Sequence, residues 1–299
     1  MRQVVMITIL LFVVNPLSAK ENIEILADKR GVFDEVKGII FFEGNVSAEK
    51  LSTGTTIFAD RLEVYLDAKT RKPKKAKADG RVILVDREGS VFCDIALFKK
   101  ANTSIELMGH VQVRTPELKL NGDRAYYNYE TGRGRLSALP KKQVTFSFGR
   151  NDTKPALKGY TRPGKRSFQP QFTGQANEII GYRIGKKAIM QGEVYIKDSI
   201  NHSDLKAMRV ELFFSPLEVL EEIIAIGDFL LVQNQRRFKA DRAFFDYQQD
   251  MITLKGNASV EESGKALVTS STIKMHMKEN KGEIRSDGNE PIRSVLTID

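Results

Sequence analysis

Apolar and polar residues alternate along most of the chain, and residues 57–66 (IFADRLEVYL) show the pattern most clearly. A period of two is typical of a β-strand with one buried face, because successive side chains point to opposite sides. The alternating segments are rich in β-branched and aromatic residues, and Gly, Asn and Asp stand at the breaks between them. The sequence therefore predicts an all-β protein built from short strands and turns.

A glycine in a fixed context recurs through the chain, followed by a polar residue and then by an apolar segment, as in residues 80–84 (GRVIL). Six copies are clear, at Gly44, Gly80, Gly109, Gly192, Gly227 and Gly256. A second strand precedes each copy, and it carries an Asp-Arg pair at residues 60–61, 123–124 and 241–242. We count eight such two-strand units, and this internal repeat organises the chain.

The glycine spacing indicates that the second half of the chain copies the first. The steps between the first three glycines are 36 and 29 residues, and those between the last three are 35 and 29 residues. An offset of 147 or 148 residues sets 61–66 on 209–214 and 94–98 on 241–245. The chain is therefore predicted to be a tandem duplication of one four-unit domain.

The predicted domains are residues 20–148 and 172–299. Residues 149–171 join them and are rich in Gly, Pro, Lys and Arg, which is typical of a linker. The segment 217–224 falls where 72–78 lies in the first half, so we predict a long hairpin connection there with one helical turn.

The first residues have the pattern of an export signal. Arg2 precedes an apolar run over residues 4–14, and small residues lead to Ala19. This run of eleven residues is well short of the roughly 20 apolar residues that span a bilayer. We therefore predict a signal peptide at residues 1–19, cleaved near Ala19, rather than an uncleaved anchor.

Each two-strand unit offers one apolar and one charged face, so the units must pack together to bury their apolar sides. A β-jellyroll and a β-solenoid both satisfy this requirement. The interior is predicted to be lined by Ile25, Ile57, Leu62, Val64, Val82, Leu84, Phe98, Leu120, Phe213, Phe229, Leu231, Phe238 and Phe245. The simplest interpretation is a packed core, and the inward register is open in strands that are apolar on both faces, such as residues 82–85.

The residues that usually carry catalysis are scarce. The chain has one cysteine, Cys93, and three histidines far apart in sequence, so we predict no catalytic site, metal or cofactor. Residues 159–165 have the glycine spacing of a phosphate-binding loop, but Arg166 replaces the required Ser or Thr and no apolar strand precedes the segment. The Asp-Arg pairs recur at equivalent repeat positions, which favours a structural role over acid-base chemistry.

The net charge of +9 comes largely from the linker, which holds six Lys or Arg between residues 150 and 166. We predict no nucleic-acid partner, because the protein carries an export signal. A solvated tether is the simpler role for this segment, and contact with anionic head groups is the alternative.

The repeat also resembles a known family. The Ala-Asp-Arg start at residues 59–61 and 240–242 and the Gly-Asn finish at 44–45 and 256–257 resemble the OstA-like (LptA) family of lipopolysaccharide transport proteins. The resemblance covers residues 22–299, as two copies where a typical member has one. It implies a pair of twisted, open β-jellyrolls in the periplasm, each with an apolar groove that holds the acyl chains of lipopolysaccharide.

The resemblance further implies a non-enzymatic bridge that moves lipopolysaccharide from the inner to the outer membrane. Its partners would be the membrane components of the transport system, reached through exposed edge strands, and further copies joined head to tail. Two other interpretations stay open from the residues themselves. One is a secreted β-helical enzyme acting on polysaccharide, and the other is a structural repeat protein with a filled interior.

Overall fold

The structure of the protein is a computed structural model. It describes residues 23–51, 54–87, 89–99, 103–116, 118–150, 169–216, 220–262, 266–277, 281–286 and 293–296. The predicted signal peptide and most of the predicted linker lie outside the described residues. Within the described part, regular structure consists of β-strands, so the all-β fold class is confirmed.

The described residues of each half of the chain form ten strands. In the first half these are β1 (Ile23–Leu26), β2 (Arg30–Asp34), β3 (Ile39–Lys50), β4 (Thr55–Leu66), β5 (Pro73–Val85), β6 (Ser90–Lys99), β7 (Ser104–Arg114), β8 (Leu118–Asn128), β9 (Arg133–Ser137) and β10 (Val144–Arg150). In the second half they are β11 (Gln169–Ala176), β12 (Glu178–Tyr182), β13 (Lys187–Asp198), β14 (Ser203–Phe214), β15 (Leu220–Gln233), β16 (Arg236–Asp246), β17 (Met251–Glu262), β18 (Ala266–His276), β19 (Lys281–Arg285) and β20 (Arg293–Leu296).

The long strands of each half form an antiparallel meander, β3 to β8 in the first half and β13 to β18 in the second. Short strands lie at the edges. β1 and β2 both pair with β3, β9 and β10 both pair with β8, and β19 and β20 both pair with β18. A β-helix stacks parallel coils. The antiparallel meander therefore corresponds to the predicted jellyroll and not to the solenoid.

Every recurring glycine marks an interruption of the ladder. The register shifts at each long pairing of the first half, for example between Glu43 and Val46 and between Asp79 and Val82. The second half shows the same shift between Ile226 and Phe229. Such bulges bend a strand and re-aim its side chains. We call the line of bulges across each meander the corner.

The backbone at the corner requires glycine. Gly80 and Gly256 have φ of +75° and +73°, and the residue after each is also left-handed, with φ of +49° for Arg81 and +46° for Asn257. An added Cβ at Gly80 would lie 2.5 Å from the Asp60 carboxylate. Two consecutive left-handed residues and a close neighbour therefore explain the recurrence of the motif.

The aspartate of the Asp-Arg pair completes the corner. The carboxylate of Asp60 accepts a hydrogen bond from Arg81 Nη2 at 2.6 Å, and that of Asp241 accepts one from Asn257 Nδ2 at 3.1 Å. The side-chain hydrogen bond from Arg81 lowers the pKa of Asp60. Asp60 and Asp241 therefore link the residue after the glycine to the neighbouring strand, whereas Asp123 accepts hydrogen bonds from the Leu139 backbone N–H and from Lys142.

The sheet folds over at the corner. Phe229 and Phe245 lie on opposite sides of it, and Phe245 is five positions along β16 from Ala240, the partner of Phe229. In a flat sheet five residues span about 16 Å, yet the two ring centroids are 5.9 Å apart in an edge-on contact. Each meander therefore forms two facing layers with an apolar interior. We call the layer holding the β4 segment before the corner layer A, and that holding the segment after it layer B.

The described chain divides into two compact units. The first unit holds residues 23–169 together with Gly181–Ile184, and the second holds Pro170–Ile180 and the residues from Gly185 onward. The boundary falls close to the end of the predicted linker, at residue 171. β14 and β15 pair as a hairpin. Of the connection predicted at 217–224, residues 217–219 lie outside the described residues, and residues 220–224 belong to β15 and form strand where a helical turn was predicted.

Replacing Gly80 with alanine tests the corner. We expect Gly80→Ala to lower the free energy of unfolding by about 1–3 kcal/mol, because the new Cβ meets the Asp60 side chain at 2.5 Å. Urea unfolding would measure the change. Gly54→Ala is the control, since Gly54 has a similar φ of +68° but no neighbour within 4 Å. Equal losses in the two variants would contradict the packing of Asp60 on Gly80.

Candidate functional site: the apolar interior of each unit

The interior of the first unit is lined by rows of residues that face each other across neighbouring strands. In layer A one row runs Ile25, Ala48, Ile57, Leu84, Val91, Val113, Leu120 and Phe146. In layer B one row runs Ile40, Val64, Ala76, Phe98, Ile105 and Tyr127. Each row is apolar over its whole length, so the two layers present apolar surfaces to one another.

The second unit repeats these rows. Its layer A row runs Gly174, Ile196, Leu205, Leu231, Phe238, Val260 and Val268. Its layer B row runs Ala188, Leu212, Ile223, Phe245, Ile252 and Met275. The duplication therefore extends from the glycine motif to the lining of the interior.

The structure brings twelve of the thirteen predicted interior residues to these surfaces. Leu62 lies in a second layer B row, and Val82 and Phe229 lie beside the corner in layer A. The register left open at residues 82–85 is now defined, because Val82 and Leu84 are buried while Ile83 and Val85 are half-buried on the other face.

Phe213 is the exception among the predicted residues. It pairs directly with Lys187 and Glu222, and the Lys187 ammonium lies 4.6 Å from its ring centroid. Phe213 is therefore on the outer, charged face. Leu212 takes the interior position instead, and the 148-residue offset that aligns Val64 with Leu212 was the sequence signal for it.

Burial decreases with distance from the corner in part of the interior, whereas Leu84 and Phe238, which lie equally far from it, are 3% and 1% exposed. On β4, Ala59 and Leu62 flank the corner and are 6% and 3% exposed, whereas Ile57 and Val64, the next interior residues outward, are half-buried. The same trend appears on β16, where Ala243 is fully buried and Phe245 is half-buried. An interior that is tight at the corner and accessible at the strand ends has the form of a wedge-shaped slot.

The slot is closed more completely in some strands than in others. Val91 and Phe98 on β6, and Ile105 and Val113 on β7, are all buried. The half-buried interior residues lie toward β3 and β4 in the first unit and along β14 to β18 in the second. Each unit therefore combines a packed region with an accessible apolar region.

A tyrosine lies at the outer end of the layer B row in the second unit. Tyr247 follows Phe245 by two residues and is 53% exposed, yet burial and the charge of Asp198 raise the pKa of its hydroxyl to about 12. Asp198 is at the outer end of the layer A row, two residues after Ile196. The effect of Asp198 on the Tyr247 hydroxyl indicates that the two residues approach each other between the outer ends of the two layers.

The first unit has a comparable arrangement. Burial, together with Tyr127 and then Asp86, raises the pKa of Tyr129, and its hydroxyl is buried without a hydrogen-bond partner in the described residues. Tyr129 follows β8 at the end of layer B, whereas Asp86 follows β5 at the end of layer A. In both units, therefore, a tyrosine from layer B lies near an aspartate from layer A.

Charges occupy the outer face of the meander. Arg61 and Lys77 donate to the two carboxylate oxygens of Asp79 at 2.7 and 2.9 Å. Burial acts to raise the pKa of Asp79, but the hydrogen bonds from Lys77 and Arg61 outweigh it and lower the pKa. Glu211 in the second unit is held by Lys187 and Arg209 in the same way. Satisfied ion pairs therefore keep charge away from the slot.

Within the part of the chain that the structure describes, the reactive residue types are not gathered into a catalytic arrangement. Burial raises the pKa of the Cys93 thiol to about 12, so the sulfur is a protonated core atom at neutral pH. His110 is exposed and lies 2.9 Å from Asp94 at the corner. Within the described ranges, no three His, Cys, Asp or Glu side chains come together as a metal site. In the same part of the chain, no helix is long and apolar enough to cross a membrane.

Comparison with known proteins places the chain in a family. The model of the LptA and LptD N-terminal domain family of lipopolysaccharide (LPS) transport proteins matches residues 24–133 and 169–281. These segments cover more than half of the chain, one in each copy of the repeat. The protein therefore belongs to this family of LPS transport proteins.

Among solved structures, the chain is similar to LptH from Pseudomonas aeruginosa, described as the LptA homologous periplasmic component of the conserved lipopolysaccharide transport device. The two are 11% identical, and the match covers 48% of this chain and 96% of LptH with a TM-score of 0.35. No protein of curated function matches the sequence.

Titration of Tyr247 tests its placement between the ends of the two layers of the second unit. In a spectrophotometric pH titration, the absorbance of the unmodified protein is compared with that of Tyr247→Phe. The difference should show that Tyr247 ionises near pH 12. Ionisation at the ordinary tyrosine pKa of about 10 would show a hydroxyl in open water and would contradict the placement of Tyr247 in the slot.

Proposed function

We propose that the protein binds lipopolysaccharide through its acyl chains in the apolar slot of each unit and carries it from the inner to the outer membrane. The observation that supports this most strongly is the gradient of burial away from the corner. A filled core would bury Ile57, Val64 and Phe245 as completely as Ala59 and Ala243, but these large side chains stay half-buried.

The energetics of such a site need no reactive group. Each methylene of an acyl chain that leaves water contributes about 0.8 kcal/mol, so a few chains in the slot bind firmly. The rows that line the slot are apolar, and the described ion pairs of Asp79 and Glu211 lie on the outer face. We therefore propose a carrier without enzymatic activity, cofactor or metal.

Edge strands are the proposed contacts with other transport components. β1 and β2 form one edge of the first unit, and large apolar side chains are exposed there, including Leu26 at 61% and Phe33 at 54%. An exposed edge can be extended by a strand from a partner. Inner- and outer-membrane components of the system, or further copies joined head to tail, would add strands at such edges.

The proposed place of action is the periplasm. The export signal predicted at residues 1–19 supports it, and a bridge between two membranes would work there. Two copies of the unit in one chain provide two slots in a single molecule.

Substitutions on adjacent residues test the acyl-chain site. Val64→Asp/Leu212→Asp places a charge in the slot of each unit, and Tyr65→Asp/Phe213→Asp places one on the outer face at the next residue. All four positions are half-buried. We expect the slot variant to lose at least about tenfold in lipopolysaccharide affinity, because a desolvated carboxylate has no partner there. The outer variant should bind like the unmodified protein.

Binding would be measured by titration with purified lipopolysaccharide, with circular dichroism and thermal unfolding as checks of folding. If the slot variant alone failed to fold, the interior would be a filled core and the structural-scaffold interpretation would replace the carrier. If the folded, unmodified protein bound no amphiphile, the proposal would be wrong.

A further inference from the structure

A strongly basic surface lies outside the slot, on the hairpin that joins β4 to β5. Residues 67–77 hold six Lys or Arg and a single acid, Asp67. Residues 68–75 are all exposed. This hairpin is therefore a projecting segment with a high density of positive charge.

Much of this charge is not neutralised by the protein. The ammonium groups of Lys69, Lys72 and Lys74 form no ion pair within the described part of the chain. Asp67 accepts hydrogen bonds from the backbone N–H groups of Lys69 and Thr70, at 3.0 and 2.9 Å, so its carboxylate is engaged in shaping the turn. The lysine side chains are free to meet an external anion.

An exposed apolar residue lies beside these cations. Arg71 contacts the turn between β2 and β3, where its guanidinium lies 3.8 Å from the Glu35 carboxylate and donates to the Glu35 carbonyl at 3.3 Å. The next residue, Val36, is 98% exposed, and Phe33 is 54% exposed. We call residues 33–37 and 67–77 the basic tip.

The duplication shows that the fold does not require this charge. Ala78 and Ala225 hold equivalent places in the layer B rows, so the connection between β14 and β15 corresponds to the basic hairpin. Residues 215–222 contain three glutamates and no Lys or Arg. Two positions, Lys74 and Lys75, correspond to Glu221 and Glu222. The charge is therefore a property of the first unit alone.

We propose that the basic tip of the first unit docks on an anionic lipid surface, with its lysines at the lipid phosphates and Val36 entering the interfacial layer. Long cationic side chains around an exposed apolar residue suit such an interface, because the cations are attracted to the surface and the apolar group leaves water. This contact is separate from the acyl-chain slot.

A second copy of the chain would be the other occupant, through the acidic connection of its second unit. The structure favours lipid over this partner. Glu221 and Glu222 are half-buried, and the Glu221 carboxylate already accepts a hydrogen bond from Gln248 Nε2 at 3.2 Å. Glu221 and Glu222 are thus less available for contact than the exposed lysines of the basic tip.

Sedimentation of the purified protein with vesicles tests the docking. The protein should bind vesicles that contain phosphatidylglycerol and not vesicles of phosphatidylcholine alone, and salt should weaken the binding. Lys69→Gln/Lys72→Gln/Lys74→Gln should reduce vesicle affinity about fivefold for each charge removed, since a lysine near an anionic surface contributes about 1 kcal/mol.

The matched control removes three exposed cations from the second unit, Lys197→Gln/Lys239→Gln/Arg242→Gln. Net charge falls equally, but vesicle binding should stay near that of the unmodified protein. Equal losses of vesicle affinity in the two triple variants would show that net charge alone determines the binding, and would overturn the proposal. The proposal would also be overturned if the unmodified protein did not bind vesicles but self-associated, and if the first triple variant abolished that self-association.

A fluorescent reporter tests the entry of Val36 into the lipid layer. The chain has no tryptophan, so Val36→Trp gives a single emission signal. Its emission should shift to the blue on phosphatidylglycerol vesicles, whereas Ile200→Trp, on an exposed turn of the second unit, should not shift. An unchanged spectrum for Val36→Trp, or equal shifts at the two sites, would overturn the proposed orientation.

Discussion

The pair of left-handed residues at each corner is the constraint on which the rest of the structure depends. A flat meander of these strands would leave both of its faces in water, because neither half carries a second sheet to cover it. The bulges at the recurring glycines fold each meander into two facing layers, and the ring contact between Phe229 and Phe245 is a direct result. The interior exists because the backbone can turn there, and the first residue of each pair is glycine, which adopts the left-handed conformation without strain.

The corner also determines the form of the interior. Two layers that diverge from a line of bulges are close together at that line and farther apart at the strand ends. Buried residues such as Ala59, Phe229 and Ala243 fill the narrow part, and half-buried residues such as Val64 and Phe245 line the wide part. Such a slot is consistent with membership of a family of LPS transport proteins. The acyl chains of a lipid can cover the apolar surface that the protein leaves open.

Much of the fold could be predicted from the sequence, because the period-two alternation and the glycine repeat are local signals of strand and turn. The duplication followed from spacing alone. The side that each residue faces was harder to predict, because the corner changes the simple alternation. Ala59 and Leu62 are three residues apart and both buried, which a flat strand does not allow. Phe213 was predicted to lie inside, as a second-half partner of the interior residues, whereas the pairing puts Leu212 there.

Other features needed the structure. The packing of Asp60 on Gly80 joins positions 20 residues apart, and the local sequence gives no distance between them. The basic run at residues 67–77 is visible in the sequence, but its exposure, its unpaired lysines and the neighbouring Val36 are not. Comparison of the two halves shows that the positive charge of this hairpin is present in the first unit only.

Photo-crosslinking at two adjacent phenylalanines tests the central claim most directly. Phe245 faces the slot, whereas Phe244 is on the outer face, with the Lys255 ammonium 5.4 Å from its ring centroid. A benzophenone side chain at each position, in separate proteins loaded with lipopolysaccharide, would report which face meets lipid. The account predicts a lipopolysaccharide adduct at 245 and little at 244. Equal labelling at the two positions, or labelling at 244 alone, would contradict it.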